Sequence, residues 1–228
     1  MPQNNSAGRL IVIEGLDGSG KATQSKLLTQ YFSERGEDVL QISFPDYESE
    51  SSALVRMYLS GKAGPVSEVN AYAASSFYAA DRYISYQTHW KNKWEAGYTI
   101  IADRYTTSNA VHQMSKLPRS EWDAYLLWLW DFEFTRMKLP QPSLVLYLDM
   151  PPEFSRQLML KRYYGDESRA DMHERDLAYQ ISCREAALFA ADKLCWKIIP
   201  CCEGGELVTI DAMAGKIRGC AEDHFHNL

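Results

Sequence analysis

The sequence predicts a doubly wound α/β fold, a parallel sheet with helices on both faces, and three observations carry that expectation. Short apolar runs alternate with amphipathic stretches along the whole chain. Several of these runs are almost continuously apolar, as strands buried on both faces are. A glycine-rich turn joins the first run to the first helical stretch.

The strand-like runs fall at residues 10–13, 39–43, 98–102, 144–148, 196–199 and 207–210. Helical patterns lie between them at 23–35, 51–60, 69–95, 120–136, 152–163 and 171–193. Alternation of this kind sets ligands at the carboxyl ends of the strands. No repeat, low-complexity tract or linker-like stretch divides the chain, so residues 1–228 read as one domain. The stretch 120–136 carries Trp122, Tyr125, Leu126, Trp128, Leu129, Trp130, Phe132 and Phe134. Apolar residues on more than one helical face predict either deep burial or a subunit interface.

Composition narrows the function. A chain of 228 residues with 46% hydrophobic and 24% charged content suits a globular domain with a substantial core. The net charge of −6 disfavours a nucleic-acid binder, which needs a basic surface to release counterions. A small anionic ligand stays compatible, because a few local cations and a helix end overcome an unfavourable global charge. No stretch approaches membrane-span length, and residues 1–8 lack signal-peptide features. The five cysteines, Cys183, Cys195, Cys201, Cys202 and Cys220, match neither a disulfide framework nor a zinc site. Free thiols and a cytoplasmic location are the expectation.

The most specific motif is LIVIEGLDGSGKATQ at residues 10–24, where Gly15-x4-Gly20-Lys21 spaces a phosphate-binding loop over 15–22. Gly18 and Gly20 let the backbone curl so that successive amides, with Ser19 between them, point at phosphate oxygens. The helix that follows aims its positive end at the same place, and Lys21 reaches the β- and γ-phosphates. One position departs from the pattern: Ala22 stands where Ser or Thr binds Mg²⁺ directly. Thr23 is one residue on, turned by about 100°. Magnesium is therefore expected on phosphate oxygens, water and a carboxylate from elsewhere.

A second cluster, Asp103-Arg104-Tyr105, ends the third apolar run. An Asp at a strand end beside a phosphate loop is placed to meet Mg²⁺, and the planar fork of Arg104 suits phosphate oxygens. A third segment, about 161–175, holds Lys161, Arg162, Arg169, His173, Glu174 and Arg175 around Gly165. It suits a mobile lid that closes cations over the phosphates. Guanine recognition of the NKxD kind is absent, since Asn92-Lys93-Trp94 is followed by Glu95.

Together these segments resemble the thymidylate kinase family. The likeness is carried by the loop from Glu14 to Lys21, by Phe44-Pro45-Asp46-Tyr47 and by Phe77-Tyr78-Ala79-Ala80-Asp81-Arg82. It continues through Asp103 to Asn109, Asp171-x-x-Glu174 and Ile210-Asp211-Ala212. The resemblance implies a P-loop NTPase-type three-layer sandwich with a five-stranded parallel sheet and a lid. It also implies transfer of the ATP γ-phosphoryl group to dTMP, with Mg²⁺, in a homodimer.

For the donor site it implies contacts from Gly15, Asp17, Gly18, Ser19, Gly20, Lys21, Ala22, Thr23 and Ala212. Asp17, Asp103 and Glu174 are the carboxylates it sets near the metal. Asp17 would accept from the sugar 3′-hydroxyl, Phe77 would stack on thymine, and Arg82 would donate to O4. Asn109 and Gln113 would touch the base edge, and Phe44 would line the acceptor pocket. Tyr47 and Arg104, with Arg56 nearby, would hold the 5′-phosphate, while Tyr105 and His112 would crowd the 2′ position. With Gly18 in the loop, the catalytic arginine would be Arg162 or Arg169, although Met172 stands where an arginine is expected. Ala22 and the thinner lid are also what another P-loop kinase or an inactive nucleotide-binding regulator would show.

Overall fold

The computed structural model describes residues 8–65, 68–155 and 177–226. The residues expected to form the lid, Arg162, Arg169 and Glu174 among them, lie outside the described residues.

The first strand, β1 (Arg9–Gly15), is fixed by its composition: Leu10, Ile11, Val12 and Ile13 are all fully buried. Alternate side chains point to opposite faces of the sheet. Leu10 and Val12 enter one core with Ile100, Ala102, Tyr105, Trp122 and Trp196. Ile11 and Ile13 enter the other with Leu28, Phe32, Ile101, Leu146 and Ile217. Helices cover both cores, so the architecture is the three-layer sandwich that was expected.

Five parallel strands form the sheet in the order β2-β3-β1-β4-β5. They are β2 (Val39–Ser43), β3 (Thr99–Asp103), β4 (Leu144–Asp149) and β5 (Lys197–Pro200) around β1. Helix α1 (Lys21–Glu34) follows the glycine-rich loop. Helices α2 (Ala53–Leu59), α3 (Ala71–Ser85) and α4 (Lys91–Glu95) come between β2 and β3. The Asn70 side chain caps α3 by accepting from the Ala73 amide at 2.8 Å. Short α5 (Thr107–His112) and α6 (Trp122–Trp130) follow β3, and α7 (Leu177–Lys193) precedes β5. The wider π turns Tyr86–Trp90 and Asp131–Arg136 interrupt the helical stretches expected at 69–95 and 120–136. The second of these turns the fully buried Glu133 inward.

One expectation changes and one helix is new. The apolar run at 207–210 is no strand of the main sheet: β7 (Glu206–Leu207) only pairs antiparallel with β6 (Cys202–Glu203) across Gly204-Gly205. A helix, α8 (Ile210–His226), begins where the strand was expected to end, because Met213, Ala214, Ile217 and Ala221 share one buried helical face. Helix α5 had no counterpart in the sequence reading; at six residues its pattern is too short to register. The aromatic stretch is half buried. Trp122, Tyr125, Leu126, Leu129 and Phe134 are core, whereas Leu127 is 74% exposed and Trp130 38%.

Candidate active site

A cavity of about 870 Å³ runs along the carboxyl ends of all five strands. It is lined by Ser43 ending β2, Asp103 ending β3, Asp17 beyond β1, Met150 beyond β4 and Cys201 beyond β5. The phosphate loop crosses its middle.

The loop's shape follows from its glycines. Gly18 and Gly20 sit at φ +79° and +89°, which side-chain-bearing residues rarely adopt. At Gly15 a Cβ would lie 2.6 Å from Ser19 Oγ and 2.9 Å from the Leu148 carbonyl, so only glycine lets the loop approach β4 this closely. Gly20 opens α1 without a side-chain cap, which leaves the first amides of the helix for a ligand. Lys21 is folded back, donating to the Leu16 carbonyl at 2.8 Å and lying 3.7 Å from Asp17 Oδ1. Burial, helped by the charge of Arg104, pulls its ammonium below the usual lysine range. Ala22 and Thr23 are exposed and line the cavity.

Arg104 is the centre of the charged network. Its backbone is left-handed, at φ +68°, and its amide donates to the Ile13 carbonyl at 3.1 Å. The guanidinium donates through Nη2 to Asp17, lies 3.5 Å from Glu14 and meets His112 Nε2 at 3.0 Å. Burial by itself would raise the Asp17 carboxyl, but Arg104 and Lys21 outweigh it and hold Asp17 well below the usual carboxylate range. Burial likewise works against the Arg104 charge, yet Asp17, Glu14 and Asp103 raise it overall. Fully buried Glu14 accepts from the Gly15 amide, Thr107 Oγ1 and Ser108 Oγ at 2.9, 2.8 and 2.6 Å.

Asp103 differs from its neighbours. Burial raises its carboxyl in spite of nearby Lys21 and Arg104, and its Oδ1 is buried with no hydrogen-bond partner among the described residues. Ser19 Oγ likewise has no partner among the described residues. Two such oxygens beside a phosphate loop fit a cation that arrives on phosphate oxygens. Among the described residues no group of three His, Cys, Asp or Glu makes a preformed metal cage.

At the β2–β3 end, Phe44, Tyr47, Arg82, Tyr105, Asn109, His112 and Gln113 all line the cavity, as the sequence reading grouped them. Their engagements are more specific than sequence conveyed. Arg82 and Asn109 both donate to Glu133, with Arg82 Nη1 also 3.3 Å from the Tyr105 carbonyl. The Tyr105 hydroxyl turns away to donate to the Pro140 carbonyl at 3.1 Å. Gln113 is buried, and its Oε1 has no partner among the described residues.

Three expected residues sit elsewhere. Phe77 is not a lining residue: it packs on Tyr58, ring centroids 6.1 Å apart, and the next position on the helix presents Tyr78 to the cavity. Arg56 fastens the 45–52 loop, donating through Nη1 to the Tyr47 and Ser49 carbonyls and to Ser52 Oγ. Ala212 lies in the first turn of α8, its amide on Thr209 Oγ1; the lining there comes from Leu207, Val208, Thr209, Ile210 and Met213. The sequence reading missed Glu133, Tyr78, Gln24 and the 207–210 wall. The one signal for Glu133 was a carboxylate set between two phenylalanines.

Among the described residues no helix is long and apolar enough to cross a membrane. A parallel sheet of this order, with a lysine-bearing glycine loop between β1 and α1 and a cavity across the strand ends, defines a P-loop nucleotide-binding fold. The thymidylate kinase family model matches residues 13–209. A thymidylate kinase of Mycobacterium tuberculosis is 32% identical over 174 residues, which is 75% of this chain and 80% of that protein. One from Rhodopirellula baltica is 29% identical over 197 residues, 82% and 74% of the two chains. The solved thymidylate kinase of Candida albicans superposes with a TM-score of 0.70 at 25% identity, covering 95% of this chain and 92% of that one. The chain belongs to the thymidylate kinase family.

Proposed function

We propose that this protein transfers the γ-phosphoryl group of ATP to the 5′-phosphate of dTMP, giving dTDP and ADP in the route to dTTP. The observation that carries the reading is the position of Arg104. Its guanidinium lies between the phosphate loop, through Asp17, and the β2–β3 end of the cavity, through His112. Two polyanions meeting head to tail need such a charge between them.

In this reading ATP lies with its phosphates on the loop amides and Lys21 and its base toward Met150, Leu207, Val208 and Met213. Entry of phosphate releases Lys21 from the Leu16 carbonyl. Arg104 exchanges part of its carboxylate pairing for the acceptor phosphate, with Tyr47 at the rim. Tyr78 takes the stacking role, and Phe44 forms a wall beside it. Arg82, oriented by Glu133, is the donor to thymine O4, with Asn109 and Gln113 at the base edge. Asp17 accepts from the 3′-hydroxyl, and Tyr105 and His112 close the sugar pocket. The acceptor phosphate attacks in line, and no dedicated base is required. When bound, Mg²⁺ neutralises charge on the transferring group; Asp103, with Asp17, would hold it through water. Arg162, Arg169 and Glu174 are retained as the lid's contribution.

The reading takes residues 1–228 as one kinase domain in the cytoplasm, acting on nucleotides and not on nucleic acid or membranes. It also takes the protein as a homodimer, supported by exposed Tyr72, Tyr83 and Ile84 on α3 and Leu127 and Trp130 on α6. The test is an ADP-release assay with ATP and Mg²⁺ against dTMP, dUMP, dCMP, AMP and thymidine. Preference for dTMP is expected; preference for another acceptor, or no turnover with any, overturns the reading.

A further inference from the structure

His112 ends α5 inside the cavity, and its two ring nitrogens have different partners. Nε2 lies 3.0 Å from Arg104 Nη1 and Nδ1 lies 3.6 Å from Cys183 Sγ. A guanidinium has donors only, so Nε2 must accept, and a neutral imidazole then carries its proton on Nδ1. The partner on that side is consistent: Cys183 is buried, and burial pushes its thiol up to about 11, which leaves the sulfur neutral. The backbone is tied as well, the His112 carbonyl accepting from the Tyr179 hydroxyl at 3.2 Å.

The remaining grip on Arg104 is mostly anionic, from Asp17 and Glu14, with Ser108 Oγ at 3.4 Å. Carboxylates orient a guanidinium but also offset the charge that a phosphate needs. A neutral acceptor orients it and leaves the charge in place. We infer that His112 is a positioning residue for phosphate capture, its Nε2 accepting from Arg104 Nη1 and fixing the plane of the guanidinium that meets the acceptor phosphate. This rests on the reading that Arg104 receives that phosphate, and it differs from a wall that merely crowds the sugar.

Two substitutions separate the roles. Glutamine sets an acceptor oxygen about where Nε2 lies, whereas phenylalanine keeps the ring and removes the acceptor. Relative to wild type, His112→Phe raises the KM and the equilibrium Kd for dTMP by about tenfold or more, the usual cost of losing a hydrogen bond to a charged group. His112→Gln stays within roughly threefold on the same scale. The KM for ATP is unchanged in both, and so is the preference of His112→Phe for dTMP over its ribonucleotide analogue. Normal dTMP affinity in His112→Phe, or equal losses in both variants, overturns the inference. Wild-type protein that neither binds nor turns over dTMP overturns instead the reading on which it rests.

Discussion

Arg82 and Glu133 form a two-pronged ion pair sealed from solvent, Nε to Oε2 at 2.7 Å and Nη2 to Oε1 at 2.5 Å. Thr106 Oγ1 and Asn109 Nδ2 complete the carboxylate at 2.7 and 3.1 Å. One buried glutamate thus ties α3, the chain after β3 and α5 into one wall of the cavity.

Removing one partner strands the other charge in the core. Glu133→Ala is expected to cost about 3–5 kcal/mol, a fall of roughly 10 °C in Tm for a chain of this size. Replacing both residues by apolar ones of similar volume should cost far less. Thermal unfolding followed by circular dichroism checks this; an unchanged Tm in Glu133→Ala would show that the pair contributes nothing.

Phe77 and Tyr78 both pack on Tyr58, but of the two only Tyr78 also lines the cavity, so their substitutions should differ in dTMP binding. Tyr78→Ala raises the KM for dTMP by roughly tenfold, the order expected for a lost stacking partner, and also destabilises by about 1–3 kcal/mol through its contact with Tyr58. Phe77→Ala leaves the KM near wild type and destabilises by about 1–3 kcal/mol, as its burial is partial. Steady-state kinetics on the folded variants tell the two apart, and the reverse pattern would return the stacking role to Phe77.

Arg104 meets four side chains in a fixed fork, which a lysine cannot reproduce. Arg104→Ala and Arg104→Lys should both lower kcat/KM for dTMP by roughly 30-fold or more. Near-normal kcat/KM in either variant removes Arg104 from the acceptor site.

Burial lowers the Lys116 ammonium to about 8, while its Nζ donates to the Tyr58 hydroxyl at 2.5 Å. Between about 8 and the ordinary value of 10.5 the unfolded chain holds a proton that the folded chain has lost. By linkage, stability therefore rises with pH across that window, the desolvation cost being present below it and relieved above it. Denaturant unfolding from pH 7 to 10 should give a wild-type minus Lys116→Met difference that increases with pH. A flat difference would show that Lys116 titrates as an exposed lysine.

How much of this was legible in the sequence can be judged from particular residues. The phosphate loop was, because every constraint on it is local: glycines where φ is positive, a lysine at fixed reach, an apolar strand before and a helix after. The remaining main-sheet strands were placed within one or two residues: β3 and β4 are buried and mostly apolar along their length, while the edge strands β2 and β5, only partly buried, still show as short apolar runs. Asp103 and Arg104 were legible as a strand end. The run at 207–210 misled because four apolar-rich residues do not separate a strand from the start of a helix; α8 declares itself only through Met213 and Ile217 further on.

By itself, then, the sequence determined the α/β alternation, the phosphate loop, the strand-end Asp-Arg pair and the departure at Ala22. These depend on residues within a turn or a strand of one another. Tertiary structure decided which aromatic of Phe77-Tyr78 enters the cavity, that Arg56 fastens a loop, and that Glu133 holds Arg82 from 51 positions away. It also placed Asp17 against Arg104, 87 positions on, and His112 against Cys183, 71 positions on. One residue along a helix turns a side chain by about 100°, and partners so distant meet only once the sheet order is set. Local periodicity encodes neither fact, so Lys21, Asp17, Asp103 and Arg104 could be named from the sequence, but neither the buried Glu133 nor the pairing of these charges could.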